Sequence, residues 1–251
     1  MFISERRLRC GPILQEKIKK EKMRMKKISV AIDGPAGAGK SSVASNVAKQ
    51  LGYVYIDTGA MYRSVAVYAI QNGIKLPEQT DRLIQSLKDI SISFSTEKGV
   101  QRILLNGCDV TERIRESDAS MGSSCVAAIP EVRKMLVARQ KEMGADGGVI
   151  MDGRDIGTTV LPDAELKVYL TASVEERAER RYRENLERGI ECDLERIKKD
   201  VMARDENDMN RAVSPLRRAD DAILLDTSDM TFESVVSKLS DMVKEREKNV
   251  L

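Results

Sequence analysis

Histidine is absent from all 251 residues. That removes Ser-His and Cys-His nucleophile pairs and every metal centre built on imidazole. The four cysteines, Cys10, Cys108, Cys125 and Cys192, stand far apart with no C-x-x-C spacing, so neither a zinc site nor a redox dithiol is indicated, and they read as reduced thiols. Internal repeats and low-complexity tracts are missing too. No apolar run has the length that spans a bilayer, and the first residues lack the continuous apolar segment of a secretory signal, which points to a soluble, cytoplasmic protein. Net charge is also lacking: 42 basic and 40 acidic residues nearly cancel, so global charge argues for neither nucleic acid nor membrane as a partner. Phosphoryl transfer survives these exclusions, because it rests on positioning and on cations rather than on histidine.

What is present begins with "ISVAIDGPAGAGKSS", Ile28 to Ser42. Gly34, Gly39, Lys40 and Ser41 occupy the fixed positions of G-x-x-x-x-G-K-[ST]. Glycines let the chain turn tightly enough for successive N–H groups to wrap phosphates at a helix N-terminus. The loop from Gly34 through Pro35, Ala36, Gly37, Ala38 and Gly39 to Lys40, Ser41 and Ser42 is therefore the candidate ATP site. Lys40 adds a point charge, and the Ser41 hydroxyl suits the Mg²⁺ that accompanies a triphosphate. The flanks agree: an apolar run, Ile28 to Ile32, precedes the loop, and Val43, Val47 and Leu51 recur at helical spacing after it.

Four further short apolar runs follow, at Tyr53 to Asp57, Gly148 to Asp152, Leu166 to Leu170 and Ala222 to Asp226. They read as buried strands of a parallel sheet with helices between them. Ser173 and Glu176 form a capping-box pattern, and Phe232, Val235, Val236, Leu239 and Val243 give the last helix an apolar face. Between about Leu87 and Arg115, apolar and polar residues alternate around Glu97-Lys98-Gly99 and Asn106-Gly107, the marks of an inserted antiparallel sheet. The domains expected are a charged extension over residues 1–25, disordered or upstream of a start at Met23 or Met25; a core over 26–84 and 126–251; and an insert over 85–125. A helical lid over about 174–192 belongs to that core.

Strand ends gather ligands in such sheets, and two polar motifs sit there. "DTGAMYR" carries Thr58 and Arg63; "DGRDIGT" carries Asp152, Arg154 and Asp155. Arginine's planar fork suits phosphate, and aspartate suits a sugar hydroxyl, an exocyclic amine or water on magnesium. An Arg flanked by Asp is equally a structural ion pair. Asp226 reads simply as the end of its strand. "EERAERRYRENLERG" and "ARDENDMNRAVSPLRR" mix solvated charge with arginines that could close over a triphosphate and exclude water.

In their order and wording, "IDGPAGAGKSS", "DTGAMYR", "DGRDIGT", "EERAERR" and "ARDENDMNRAVSPL" resemble the signatures of the bacterial cytidylate kinase family, from about Lys27 onward. The resemblance implies an α/β fold of the P-loop nucleoside monophosphate kinase type: a five-stranded parallel sheet flanked by helices, an inserted monophosphate-binding domain with a small antiparallel sheet, and a helical lid. It implies transfer of the γ-phosphoryl group of ATP to CMP or dCMP. Carried over by motif, Arg63 and Arg154 look like ligands of the acceptor phosphate, and Ser124, Arg133 and Asp155 like readers of cytosine. Arg204, Asp208 and Arg211 look placed for the sugar and the transferring phosphates, and Arg177 and Arg181 resemble lid arginines on ATP. Thr58 stands where a small hydroxyl residue occurs in the family. Lys40, Arg154, Arg204 and Arg211 would then be catalytic, with Ser41 on magnesium and Asp33 orienting its water.

That reading makes transfer direct and in line, with no phosphoenzyme and no strong general base, because the acceptor is already an anion. The partners implied are ATP and CMP or dCMP, not a nucleic acid polymer or a membrane. A monomer is expected, since no long exposed apolar stripe asks for a partner. Two rivals stand beside it. One is a P-loop kinase for UMP or another acceptor; the other is a nucleotide-binding switch, although the sequence has no N-K-x-D guanine-reading motif.

Overall fold

A computed structural model describes residues 27–97 and 100–250. The charged N-terminal segment, Cys10 and the Lys98-Gly99 turn lie outside the described residues. In chain order, strand β1 (Val30–Asp33) leads through the P-loop into helix α1 (Lys40–Leu51), and β2 (Val54–Asp57) into α2 (Thr58–Gln71) and α3 (Thr80–Ser86). Strands β3 (Ile92–Glu97), β4 (Val100–Leu105) and β5 (Cys108–Asp109) follow, then α4 (Ser117–Ala128) and α5 (Pro130–Gly144). Strand β6 (Val149–Gly153) ends in a π-helical turn (Ile156–Val160), and β7 (Leu166–Thr171) enters α6 (Val174–Glu187) and α7 (Leu194–Asn210). The last pair is β8 (Ile223–Asp226) and α8 (Phe232–Val250).

The expected five-stranded parallel sheet is present, in the order β2-β6-β1-β7-β8. Alternation along β1 splits its side chains between two cores, as the period of a strand requires. Val30 and Ile32 pack with Val43 and Val47 of α1 and Leu239 and Val243 of α8; Ala31 faces Met151, Ile156 and Val160. The register sets Asp57 level with Asp152, and Asp33 level with Gly153 and Tyr169, so the polar residues that end these strands meet at one edge.

Three local expectations need correction. The outer strands are not buried throughout: Ile56 alone is buried in β2 and Leu225 alone in β8, while Val54, Ile223 and Leu224 are half-exposed or more. Each edge strand has one parallel neighbour, so its outer surface is left to solvent. The capping box is half made: Ser173 Oγ accepts from the Glu176 N–H at 3.1 Å, but the Glu176 carboxylate turns to Arg180 Nε at 2.8 Å. A charged partner four residues on outcompetes the reciprocal backbone bond. Finally, Phe232 stands apart from the buried face of α8 and lines the central cleft.

The antiparallel sheet is β3-β4-β5, with Asn106-Gly107 as the two-residue link of the second hairpin. Ile92, Ile103 and Leu105 share one apolar cluster with Met61 and Val65 of α2, Val126 of α4 and Leu136 of α5. The small sheet thus stands on α2, which begins at β2, and on α5, which leads into β6, and this ties it to the parallel sheet. Among the described residues no helix is long and apolar enough to cross a membrane.

Candidate active site

A cleft of about 1,440 Å³ runs from the P-loop to the antiparallel sheet. Ala36 to Ser42 form one wall. Gly34 and Pro35 do not line it. A Cβ on Gly34, whose φ is +150°, would sit 1.9 Å from the Leu170 carbonyl oxygen, so its glycine serves close packing of the loop on β7. Pro35 instead offers its carbonyl to Lys40 Nζ at 2.8 Å.

Lys40 is buried, and burial together with repulsion from Arg154 brings its pKa down to about 7. Beside it, Ser41 Oγ donates to Asp152 Oδ2 at 2.8 Å, and the Tyr55 hydroxyl donates to Asp152 Oδ1 at 2.8 Å. Burial, with Asp57 nearby, raises the Asp152 carboxyl to about 6. These hard oxygen donors side by side fit Mg²⁺, which takes oxygen ligands and keeps several waters. Among the described residues no group of three or more acidic or thiol side chains forms a protein cage, so phosphate and water would supply the remaining ligands. Asp33, expected to orient water on magnesium, is placed otherwise. Its two oxygens accept the N–H groups of Ile156 at 2.7 Å and Gly157 at 2.8 Å, and it does not line the cleft. Burial raises this carboxyl to about 6.

The opposite wall brings Thr58, Arg63, Ser124, Arg154, Asp155, Arg204, Asp208 and Arg211 together. The Thr58 hydroxyl is spent on the Asp152 carbonyl at 2.7 Å and is buried. Arg63 is held by Asp57 at 2.8 Å, and Asp57 also caps α2 through the Ala60 N–H. Arg154 Nε donates to Asp208 Oδ2 at 2.7 Å. Asp155 accepts from Arg211 at 3.2 Å and from Arg133, which lies behind the wall against the Tyr62 ring. Arg204 reaches Ser120 Oγ at 3.4 Å. Burial lowers the pKa of Arg204 to about 10 and that of Arg211 below its usual value.

Several donors here are buried without a partner: Arg63 Nε, Arg133 Nη1 and Arg204 Nε. An uncompensated buried N–H on a cation is costly unless an anion or acceptor arrives.

The helical arm sorts its arginines by phase. Arg181 lines the cleft and is exposed. Arg177, expected on ATP, is buried behind the P-loop and does not line the cleft. Its guanidinium donates to the carbonyls of Ala172 and Ala36 and pairs with Asp205. Arg180, which motif reading passed over, lines the cleft instead, with Nη2 on the Thr227 carbonyl at 2.7 Å and Nη1 on the Thr227 hydroxyl at 3.2 Å. Tyr55 and Asp205 were also missed. The quoted "EERAERR" contains Arg180, but which arginine meets the loop depends on how α6 docks.

A P-loop at the head of a parallel sheet, facing a second pocket rich in guanidinium groups, defines a P-loop phosphotransferase. The chain belongs to the cytidylate kinase family, whose sequence profile matches residues 30–245. A cytidylate kinase of Streptococcus gordonii is 52% identical over 221 residues, covering 88% of this chain and 98% of the relative. Those of Streptococcus suis strain 05ZYH33 and Streptococcus pneumoniae strain 70585 are 52% and 49% identical, each over 88% of this chain and over 98% and 100% of their own lengths.

Proposed function

We propose that the protein transfers the γ-phosphoryl group of ATP to the 5′-phosphate of CMP or dCMP, giving ADP and CDP or dCDP. It acts as a monomer on free nucleotides in the cytoplasm, with Mg²⁺ accompanying ATP. Family membership supports the reaction. The observation that carries the geometry is that Arg63 and Arg204, each with a buried Nε that has no partner, face the P-loop across one cleft.

In this reading the P-loop amides and Lys40 hold the β- and γ-phosphates, and Arg180 and Arg181 cover the donor. Ser41 and Asp152 hold Mg²⁺, which when bound neutralises charge on the phosphate oxygens. Arg63, Arg154, Arg204 and Arg211 receive the acceptor phosphate and the charge that spreads over the transferring group. Asp155 presents its carboxylate to a cytosine ring, with Ser124 beside it and Arg133 holding that carboxylate from behind. Asp208 orients Arg154 and faces the sugar. The core, the antiparallel insert and the helical arm serve as donor site, acceptor site and lid.

ADP release from Mg-ATP, measured against CMP, dCMP, UMP, AMP, GMP and no acceptor, tests this. Turnover confined to the cytidine nucleotides is expected. Equal rates with and without acceptor would overturn the transferase reading, and turnover with another monophosphate would move the specificity.

A further inference from the structure

Ala36, in the middle of the P-loop, has both backbone groups gripped from outside the loop. Its carbonyl accepts from Arg177 Nη1 at 3.0 Å, and its N–H donates to Asp205 Oδ1 at 3.3 Å. The two gripping side chains are themselves paired, Arg177 Nη1 to Asp205 Oδ2 at 2.6 Å, and both are nearly buried. Arg177 is further anchored through Nε to the Ala172 carbonyl at 2.9 Å, at the end of β7. The contact is tight. A Cβ on Gly37 would meet the Arg177 Cβ at 3.3 Å, so α6 lies directly on the loop.

Asp205 belongs to α7, and its neighbours on that helix face elsewhere. Arg204 and Asp208 line the acceptor wall, where Asp208 holds Arg154 at 2.7 Å. One helix therefore touches the donor loop through Asp205 and the acceptor pocket through Arg204 and Asp208. Helices α6 and α7 pack together through Ala178, Ile197 and Val201, so the position of one is tied to that of the other. A rigid element contacting two sites transmits any preference that one ligand has for its position.

We infer that Arg177 and Asp205 form a positioning pair that couples donor binding to acceptor binding, by tying the conformation of the P-loop at Ala36 to the placement of α7. The pair touches no substrate. Phosphates that draw the loop amides inward shift Ala36, and the pair carries that shift to Arg204 and Asp208. This inference rests on the proposed two-substrate reaction and adds the linkage between its sites.

The test is calorimetric. CMP affinity is measured with and without a non-hydrolysable Mg-ATP analogue, and analogue affinity with and without CMP, in the native chain, in Asp205→Asn and in the double variant R177M/D205L. The double variant removes both charges together, so no unpaired buried ion is left to unfold the chain. In the native chain each ligand should tighten the other by the same factor, on the order of 5-fold or more. In both variants that factor should fall towards 1. A purely structural pair would lower melting temperature and the separate affinities but leave the ratio standing. A native ratio of 1, or an unchanged ratio in the double variant, overturns the coupling while the reaction stands. Failure of the native chain to bind CMP or the analogue overturns the reaction itself, and the coupling with it.

Discussion

Ser41 Oγ donates to Asp152 Oδ2 over 2.8 Å, joining the first residues of α1 to the end of β6. The pair stands level with Asp57 across the sheet and next to the buried ammonium of Lys40. Lys40 Nζ donates to the Pro35 carbonyl at 2.8 Å, so the loop itself fixes the position of its cation. Such preorganisation is what lets a site stabilise a transition state without rearranging.

Lys40→Ala should lower kcat by about 10²–10³-fold while circular dichroism and the unfolding midpoint stay near native. A buried ammonium costs desolvation, so its removal has little to subtract from stability. A near-normal rate of ADP release would remove Lys40 from the mechanism.

Tyr55→Phe deletes one of two hydrogen bonds that orient Asp152. A hydrogen bond to a charged group contributes about 1.5–3 kcal/mol, so kcat/KM for Mg-ATP should fall about tenfold or more. CMP affinity should not move. Steady-state kinetics at several magnesium concentrations, alongside CMP titration, would show whether the loss stays on the donor side.

Asp155→Asn leaves Arg133 buried with its carboxylate partner gone, and weakens the hold on Arg211. Breaking a buried pair in this way costs about 3–5 kcal/mol. Urea unfolding should register that loss, and CMP affinity should fall with it. A fully stable variant with native CMP affinity would contradict the placement of the pair.

Asp33 sets a pH dependence whose sign runs against the usual carboxylate. Its folded pKa, about 6, lies above the ordinary carboxyl value of 3.8, so the native state holds the proton more tightly than the unfolded chain. The stability it contributes is fully present below the unfolded value and is lost as pH rises through about 6, on the order of 3 kcal/mol. Asp33→Asn removes this slope and loses one acceptor for Ile156 or Gly157 at every pH. Comparison of urea midpoints should therefore show the variant gaining on the native chain between about pH 4 and pH 7.5. A difference constant with pH would refute the assignment.

Gly34→Ala should abolish the native loop position, because the added methyl would lie 1.9 Å from the Leu170 carbonyl oxygen and φ is +150°. Loss of soluble folded protein, or of nucleotide binding with the sheet intact, is the outcome to look for by expression and calorimetry. Gly73, at φ +61° with nothing within 4 Å of its Cβ position, is the control, where alanine brings only the backbone strain of about 1–3 kcal/mol.

Much of this architecture is legible in the chain. The P-loop is contiguous, and its chemistry depends on glycines and a lysine at fixed spacing, so sequence alone locates it. The parallel strands announce themselves as short apolar runs, and the Asn106-Gly107 hairpin by turn chemistry that few other residues satisfy. The absence of histidine and the motif order were enough to point to phosphoryl transfer.

Tertiary structure decided which charges face the substrates. Arg177, Arg180 and Arg181 share one helix and one residue type, yet the first is buried under the loop, the second bridges to Thr227 and the third stays exposed in the cleft. Helical phase separates them only once the docking of α6 is known. Asp33 and Asp152 both end core strands, but backbone amides of the π-helical turn claim the first, while Ser41 and Tyr55 claim the second. Composition and local spacing determine a phosphate-binding α/β fold, because those signals act over a few residues. Partners of Asp33, Asp152 and Asp205 come from segments more than a hundred residues away, as with Ala36 and Asp205, and packing alone assigns them.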